Sequence, residues 1–181
     1  MQELPLEKLD ACWNAPEKAV LVTSVDAQGR ANIIAVGWLM RANISPPVYA
    51  IGINDRSHSG RNIAATLDFV IGVPGAELAR AVMFCGTHTG AEVDKFAACG
   101  LTSLPARTVR APLIGECLAN LECRVVGVQH LEDHRVFFGQ VQACWVAAGR
   151  EGRHDLLIVG QSGGWQVAYE EKGFRLGTVR D

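Results

Sequence analysis

Short β-branched runs broken by turn residues dominate the chain. Val20-Leu21-Val22-Thr23-Ser24-Val25 has the composition and length of a strand. Asp26-Ala27-Gln28-Gly29-Arg30 follows with turn residues and a late glycine, which predicts a hairpin into a second strand from Ala31 to about Met40. Ser45-Pro46-Pro47 breaks the chain before a strand at Val48–Ile53. Ile63, Ala64, Leu67 and Phe69 then mark a short helix running into a strand at Phe69–Val73, which Pro74-Gly75 stops. A small helix is expected over Ala76–Met83. Thr89-Gly90-Ala91-Glu92 fits a capping box for a helix at Val93–Cys99, with Gly100 as its C′ residue. Two long strands follow, Leu118 to about Gln129 and Val136 to about Ala147, joined by the charged loop Leu131–His134. After Gly139 the alternation sets Gln140 and Gln142 against Val141, Ala143 and Trp145. The tail from Gly149 reads as loop-rich and holds Gly163-Gly164-Trp165. No repeat, linker or low-complexity block interrupts the pattern. Long helices between successive strands are missing, so the expected fold is mainly β with short helices. That points to an antiparallel, Greek-key-like closed or split barrel over residues 1–181 as one domain.

Composition narrows the function classes. The chain has 181 residues, 49% apolar and 20% charged, with a net charge of −2. This balance gives no general electrostatic reason to expect nucleic acid, and no apolar run is long enough to span a bilayer. Met1–Glu7 lacks a basic region followed by an apolar stretch, so a cytoplasmic protein is expected. The six cysteines, Cys12, Cys85, Cys99, Cys117, Cys123 and Cys144, sit in apolar surroundings without a Cys-x-x-Cys pair, and read as free buried thiols. Cys117 and Cys123 have the even spacing of one strand face, which leaves a disulfide there as an alternative.

The chemistry concentrates between a strand and a helix, at Arg56-Ser57-His58-Ser59-Gly60-Arg61-Asn62. Unpaired N–H groups and the positive end of a helix would meet there with hydroxyls and two arginines, a combination suited to phosphate. An ordinary helix cap at Ser57 or Ser59 with solvated arginines is the alternative. Asn32 lies within the apolar strand Ala31–Ala35 and must satisfy both ends of its amide, through strand backbone or through a planar ligand. Trp38, six residues on, would share its side of an extended strand as a flat wall or as a core residue. Lys95 stands among Val93, Phe96 and Ala97, placed to snorkel to solvent or to reach an anion. His130 and His134, beside Glu132 and Asp133, and Cys85 with His88 are weak metal pairs, and no native metal site is expected. Walker A, Gly-x-Gly-x-x-Gly and Gly-x-Ser-x-Gly signatures are all missing.

Taken in order, several segments carry a resemblance. They are Gly29-Arg30-Ala31-Asn32-Ile33, Ser45-Pro46-Pro47-Val48, Arg56-Ser57-His58-Ser59, Asp68-Phe69-Val70 and Val93-Asp94-Lys95-Phe96. Ala111-Pro112-Leu113-Ile114-Gly115-Glu116-Cys117 and Asp133-His134 before Val136-Phe137-Phe138-Gly139 complete the set. From about Val20 to about Val146 the chain resembles the flavin reductase-like family with the FMN-binding split barrel, in its flavoredoxin-like branch. The resemblance implies FMN held at the interface of a homodimer. It implies that Asn32, Ile33 and Ile34 line the flavin ring, with Trp38 beside it. Ser57, His58 and Ser59 would form the phosphate loop and Lys95 would reach the phosphate end. His134 would lie near the site of NAD(P)H, a candidate co-substrate. Gln140 stands where many members carry Glu.

The expected function is therefore an FMN-binding oxidoreductase. It would take electrons from NAD(P)H or a redox protein and pass them to free flavin or a protein acceptor. A non-catalytic flavin-binding or electron-carrier module and a metal-dependent hydrolase using His130 and His134 are the competing classes.

Overall fold

The computed structural model describes Pro5, residues 18–149 and, for the backbone alone, residues 17, 158–159, 165–171 and 174–179. Cys12 and Gly163-Gly164 lie outside the described residues. The chain divides into two compact units, Ala19–Leu157 and the combined ends Met1–Lys18 with Ile158–Asp181.

In chain order the strands are β1 (Glu17–Lys18), β2 (Val20–Val25), β3 (Ala31–Val36), β4 (Leu39–Asn43) and β5 (Val48–Asn54). Helix α1 (His58–Thr66) leads into β6 (Asp68–Val73); a 3-10 turn at Ala76–Leu78 leads into α2 (Ala79–Thr87), and α3 is Lys95–Cys99. The strands β7 (Ser103–Leu104), β8 (Leu113–Ile114), β9 (Ala119–Leu131) and β10 (His134–Val146) complete the larger unit. In the smaller unit β1 pairs with β11 (Ile158–Val159), and β12 (Trp165–Glu171) pairs with β13 (Phe174–Val179). Strands therefore stand where a loop-rich tail was expected.

Seven strands form one antiparallel sheet in the order β3-β2-β6-β9-β10-β5-β4. Every residue of β2 is buried, so its two faces must both meet apolar partners. Leu21 packs with Ile33, Leu78, Val82 and Phe96, on the side covered by α2 and α3. Val20 and Val22 pack on the other side with Val36, Ile51, Ile53, Ile63, Phe69 and Phe137. Val36 of edge strand β3 and Ile51 of β5 share that cluster, so the sheet curls until its edges approach.

Three local expectations change. The single strand from Ala31 to Met40 is two strands, because β3 pairs with β2 at one edge and β4 pairs with β5 at the other. Gly37-Trp38 carries the chain across, and Trp38 is not on the strand of Asn32. Helix α3 starts at Lys95 rather than Val93. Its cap is Asp94, whose Oδ1 accepts from Ala97 N at 3.1 Å, while the Thr89 hydroxyl accepts from Ala91 N in a turn. The side-chain alternation after Gly139 is interrupted by a register shift between Val141 and Ala143. Among the cysteines, Cys85, Cys117 and Cys123 are buried and free, and burial pushes each thiol up to about 12; Cys144 is exposed.

On β9 Glu122 is fully buried. Its Oε1 accepts from Arg107 N at 3.0 Å and Trp145 Nε1 at 2.6 Å, and its Oε2 accepts from Thr108 N at 2.6 Å and from the Thr108 hydroxyl. Burial pushes the carboxyl up, and these donors more than reverse it, so it titrates below the ordinary glutamate range. A group depressed in the folded state stabilises above its unfolded value, about 4.3, and loses that contribution as pH falls through the folded value. Glu122→Gln turns an amide N–H₂ toward donors, so urea unfolding at neutral pH should show a loss of about 1–3 kcal/mol. The difference from the parent should shrink below about pH 4.3; a gap that stays constant into acid would contradict the carboxylate's role.

Candidate functional site

The loop after β5 is shaped by its own backbone. Ser57 N donates to Asn54 O at 3.0 Å, and Arg56 N donates to Asn54 Oδ1 at 2.9 Å. This turn places Ser57 as the N-cap of α1, its hydroxyl accepting from Gly60 N at 2.9 Å. A side chain at residue 60 would stand 2.8 Å from Asn54 O, so the close passage of helix under strand end requires glycine there. Helix α1 begins at His58, with Ser59 buried in its first turn. No acidic residue occupies that turn, and Arg56 and Arg61 are both exposed beside it, with Arg61 Nη1 donating to Arg56 O at 2.9 Å. The first-turn amides and both guanidinium charges thus favour an anion. Burial, with Arg61 beside it, holds the His58 imidazole below the usual histidine range, so it is largely neutral at neutral pH.

Strand β3 reaches this loop through Asn32, whose Nδ2 donates to Ser59 Oγ at 2.6 Å. Asn32 is 3% exposed, and its Oδ1 is buried without a hydrogen-bond partner. Gly90 lies directly over that oxygen: a Cβ on residue 90 would fall 1.8 Å from it. Lys95 is also 3% exposed rather than solvated, and its Nζ donates to Ile33 O at 2.7 Å and Cys85 O at 2.8 Å. Burial holds this ammonium below the ordinary lysine range, with Cys85 and Cys99 acting against the shift.

A cavity of about 310 Å³ collects these groups. Ile34, Ser57, His58, Ser59 and Lys95 line it, as do Arg56 and the segment Cys85–Gly90. Asn32 joins through Ser59. Ile33 turns its side chain into the core and offers only backbone, its carbonyl being held by Lys95. The segment Cys85–Gly90 lines the cavity in addition to the residues expected from the sequence. Its signal is Gly86-Thr87-His88-Thr89-Gly90, a glycine-bounded run of hydroxyls like the one at Ser57–Ser59. A second cavity of about 430 Å³ shares His58 and Gly90 with the first.

Trp38 and His134 do not line the 310 Å³ cavity; they pair with each other, ring centroids 4.8 Å apart. Trp38 is 54% exposed and rests against Gly52. His134 lies opposite Asn54 across β5 and β10, and Asp55 N donates to Asp133 O at 3.0 Å. The tip of the β9–β10 hairpin is thereby tied to the loop that carries Ser57. Asp133 Oδ1 is 2.8 Å from His134 Nδ1, and that bond holds the Asp133 carboxyl below the usual range. His130 turns instead to Asp55 Oδ2, and Arg135 Nε stands 2.9 Å from Asp55 Oδ1 as an ion pair. Among the described residues, no three His, Cys, Asp or Glu side chains are grouped to hold a metal.

Known proteins share this arrangement of elements. Residues 14–167 match the model of the flavin reductase like domain. An Archaeoglobus fulgidus protein of unstated function is 33% identical over 62% of this chain, which spans 63% of that relative's length. The NADH:riboflavin 5′-phosphate oxidoreductase of Streptomyces pristinaespiralis is 27% identical over 72% of this chain and 71% of its own length. Among solved structures, flavoredoxin of Desulfovibrio vulgaris superposes with a TM-score of 0.70 at 28% identity, covering 74% of this chain and 72% of that one. A Shewanella frigidimarina protein with a split barrel domain superposes with a TM-score of 0.75 at 18% identity, covering 94% and 100% of the two chains. The curled sheet is accordingly a split barrel, and the chain belongs to the flavin reductase-like domain family.

Proposed function

We propose that this protein is an FMN-dependent oxidoreductase of the flavin reductase and flavoredoxin kind, with NAD(P)H or a redox protein as donor and free flavin or a protein as acceptor. The observation that carries this reading is the cavity joining the N-terminus of α1, Ser57, Ser59 and Lys95. It suits a phosphate monoester. The unpartnered Oδ1 of Asn32 supports the reading further, as a buried acceptor that a ring N–H of a ligand would satisfy once the Gly90 backbone yields. The names of the Streptomyces relative and the Desulfovibrio structure agree with it. When bound, FMN would supply the redox chemistry, accepting an electron pair from one partner and giving it to another.

The chain's own residues would divide the work of binding. Ser57, Ser59 and the first-turn amides of α1 hold phosphate oxygens, with Arg56 and Arg61 adding charge. His58 gains a proton more readily once an anion lies beside it. Lys95 has two of its three N–H groups bonded to carbonyls and can aim the third at the cavity. Trp38 and His134 form the open platform at the same end of the sheet, fitted to receive a planar donor. A 310 Å³ cavity suits the phosphate tail better than three fused rings, so a second copy of the chain covering the ring completes the site. The exposed Met40 and Ile44 offer an apolar face for that homodimer.

Purified protein should be yellow, bind one FMN per chain, and scatter light as a dimer. A colourless protein that fails to take up FMN on titration would end this reading.

Lys95→Met should cost both binding and folding. Losing a charge-assisted contact to phosphate corresponds to roughly a ten- to hundredfold rise in the FMN dissociation constant. The stranded carbonyls of Ile33 and Cys85 should also lower the melting temperature. A lowered melting temperature with unchanged FMN affinity would make Lys95 a structural residue alone.

His134→Ala should keep FMN and slow its reduction by the competent donor, seen as a lower kcat/KM in anaerobic stopped flow. Equal reduction rates in the variant and the parent would remove His134 from the donor site.

A further inference from the structure

Helix α1 has a second cavity at its other end. This cleft holds about 620 Å³ and is lined by Thr66, Leu67 and Asp68, by the loop Arg107–Arg110, and by Arg124 and Val125. Nine residues of helix at about 1.5 Å each separate it from the Ser57 loop by roughly 13 Å, so it is distinct from the flavin site. Its lining carries three arginines, Arg107, Arg110 and Arg124, against one carboxylate, Asp68.

That carboxylate is already engaged. Asp68 Oδ2 accepts from Arg110 Nε at 3.2 Å and Arg110 N at 3.4 Å, and Oδ1 accepts from Ala111 N at 3.3 Å. Glu122, behind the loop, spends its oxygens on Arg107 N, Thr108 and Trp145. Two of the guanidinium groups are oriented by main-chain carbonyls: Arg110 Nη2 donates to Thr66 O at 2.7 Å and Arg124 Nη2 to Thr108 O at 3.0 Å. The third, Arg107, lies over the Trp145 ring, 5.5 Å from its centroid. All three arginines are exposed, so what orients them is these partners rather than burial. Here three like charges are gathered around one concavity, and each is held by a partner that leaves further N–H donors unused. With one carboxylate against three guanidinium groups in its lining, the cleft keeps a net positive charge, and the contacts on hand reduce the ordering a ligand would have to impose.

We propose that this cleft binds the diphosphate group of a nucleotide-sized ligand. Guanidinium forks match phosphate oxygens bidentately, and the volume exceeds what inorganic phosphate needs while suiting a nucleoside diphosphate.

The test is calorimetric titration of adenosine diphosphate into the full chain, with and without saturating FMN. One ADP should bind per chain in both conditions, with affinity falling as salt is raised. Arg107→Gln and Arg124→Gln should each weaken binding tenfold or more while keeping the parent's melting temperature. Arg110 is left intact because it partners Asp68. Absence of ADP binding, loss of it when FMN is added, or the parent's affinity retained in both variants would overturn the proposal. A protein that takes no FMN at all would defeat the flavin reading and leave this titration fully decisive for the cleft.

Discussion

A buried ammonium needs acceptors at fixed places, and Lys95 finds them on two different elements. Its bonds to Ile33 O and Cys85 O tie α3 to the sheet edge at β3 and to α2. The cost of burying that charge unpaired would be several kcal/mol or more, so the three elements are locked into one arrangement. The cavity beside the Ser57 loop is the space this knot leaves. Moving α3 outward would free Lys95 to solvent, uncover Ile33 and open the floor beneath Ser59. The packing of three elements and the shape of the cavity therefore rest on the same side chain.

The opposite wall depends on a second link, from the β9–β10 hairpin to the loop after β5. The bond from Asp55 N to Asp133 O joins the turn that bears His134 to the turn that bears Ser57. Neither turn has a packed core of its own. Through this bond, and through the contacts of Asp55 with His130 and Arg135, the Trp38–His134 pair stays in register with the Ser57 loop. The histidine pair that sequence spacing offers to a metal is used in this way. Each imidazole has its own carboxylate, and the two carboxylates hold different parts of the rim.

Elements with one dominant local signal were legible in the sequence. The strands at Val20–Val25, Val48–Ile53 and Phe69–Val73 appear within a residue of their expected bounds, because β-branched composition and flanking turn residues act locally. The grouping of Ser57, His58 and Ser59 at a helix start was also legible, since a strand end, hydroxyls and glycine occur in one short run. What depended on distant partners was not. Nothing local marks Gly37-Trp38 as the crossing between two sheet edges, because the break comes from β2 and β5 competing for the two halves. Lys95 sits in a sequence context where lysines usually reach water, and only the carbonyls of Ile33 and Cys85, 62 and 10 residues away, make its burial tolerable. The capping-box spacing at Thr89 lost to Asp94 for a similar reason: the turn over Asn32 uses Thr89–Glu92 before the helix can begin.

That turn explains the one polar atom at the candidate site left unsatisfied. Asn32 could have met its needs through Ser59 and a backbone donor, as buried amides ordinarily do. Instead its Oδ1 faces the α-carbon of Gly90, which has no hydrogen to donate strongly, and a larger residue at position 90 could not approach. A fold selected for stability alone would place an apolar side chain at position 32, since its neighbours Ala31, Ile33 and Ile34 are apolar already. Keeping an amide there costs free energy in the free protein. The cost is offset only when something supplies the missing donor, which would have to enter where Gly90 now covers the oxygen. The unsatisfied oxygen and the glycine closed over it are two parts of one arrangement, coherent if a ligand edge with an N–H group is their common partner.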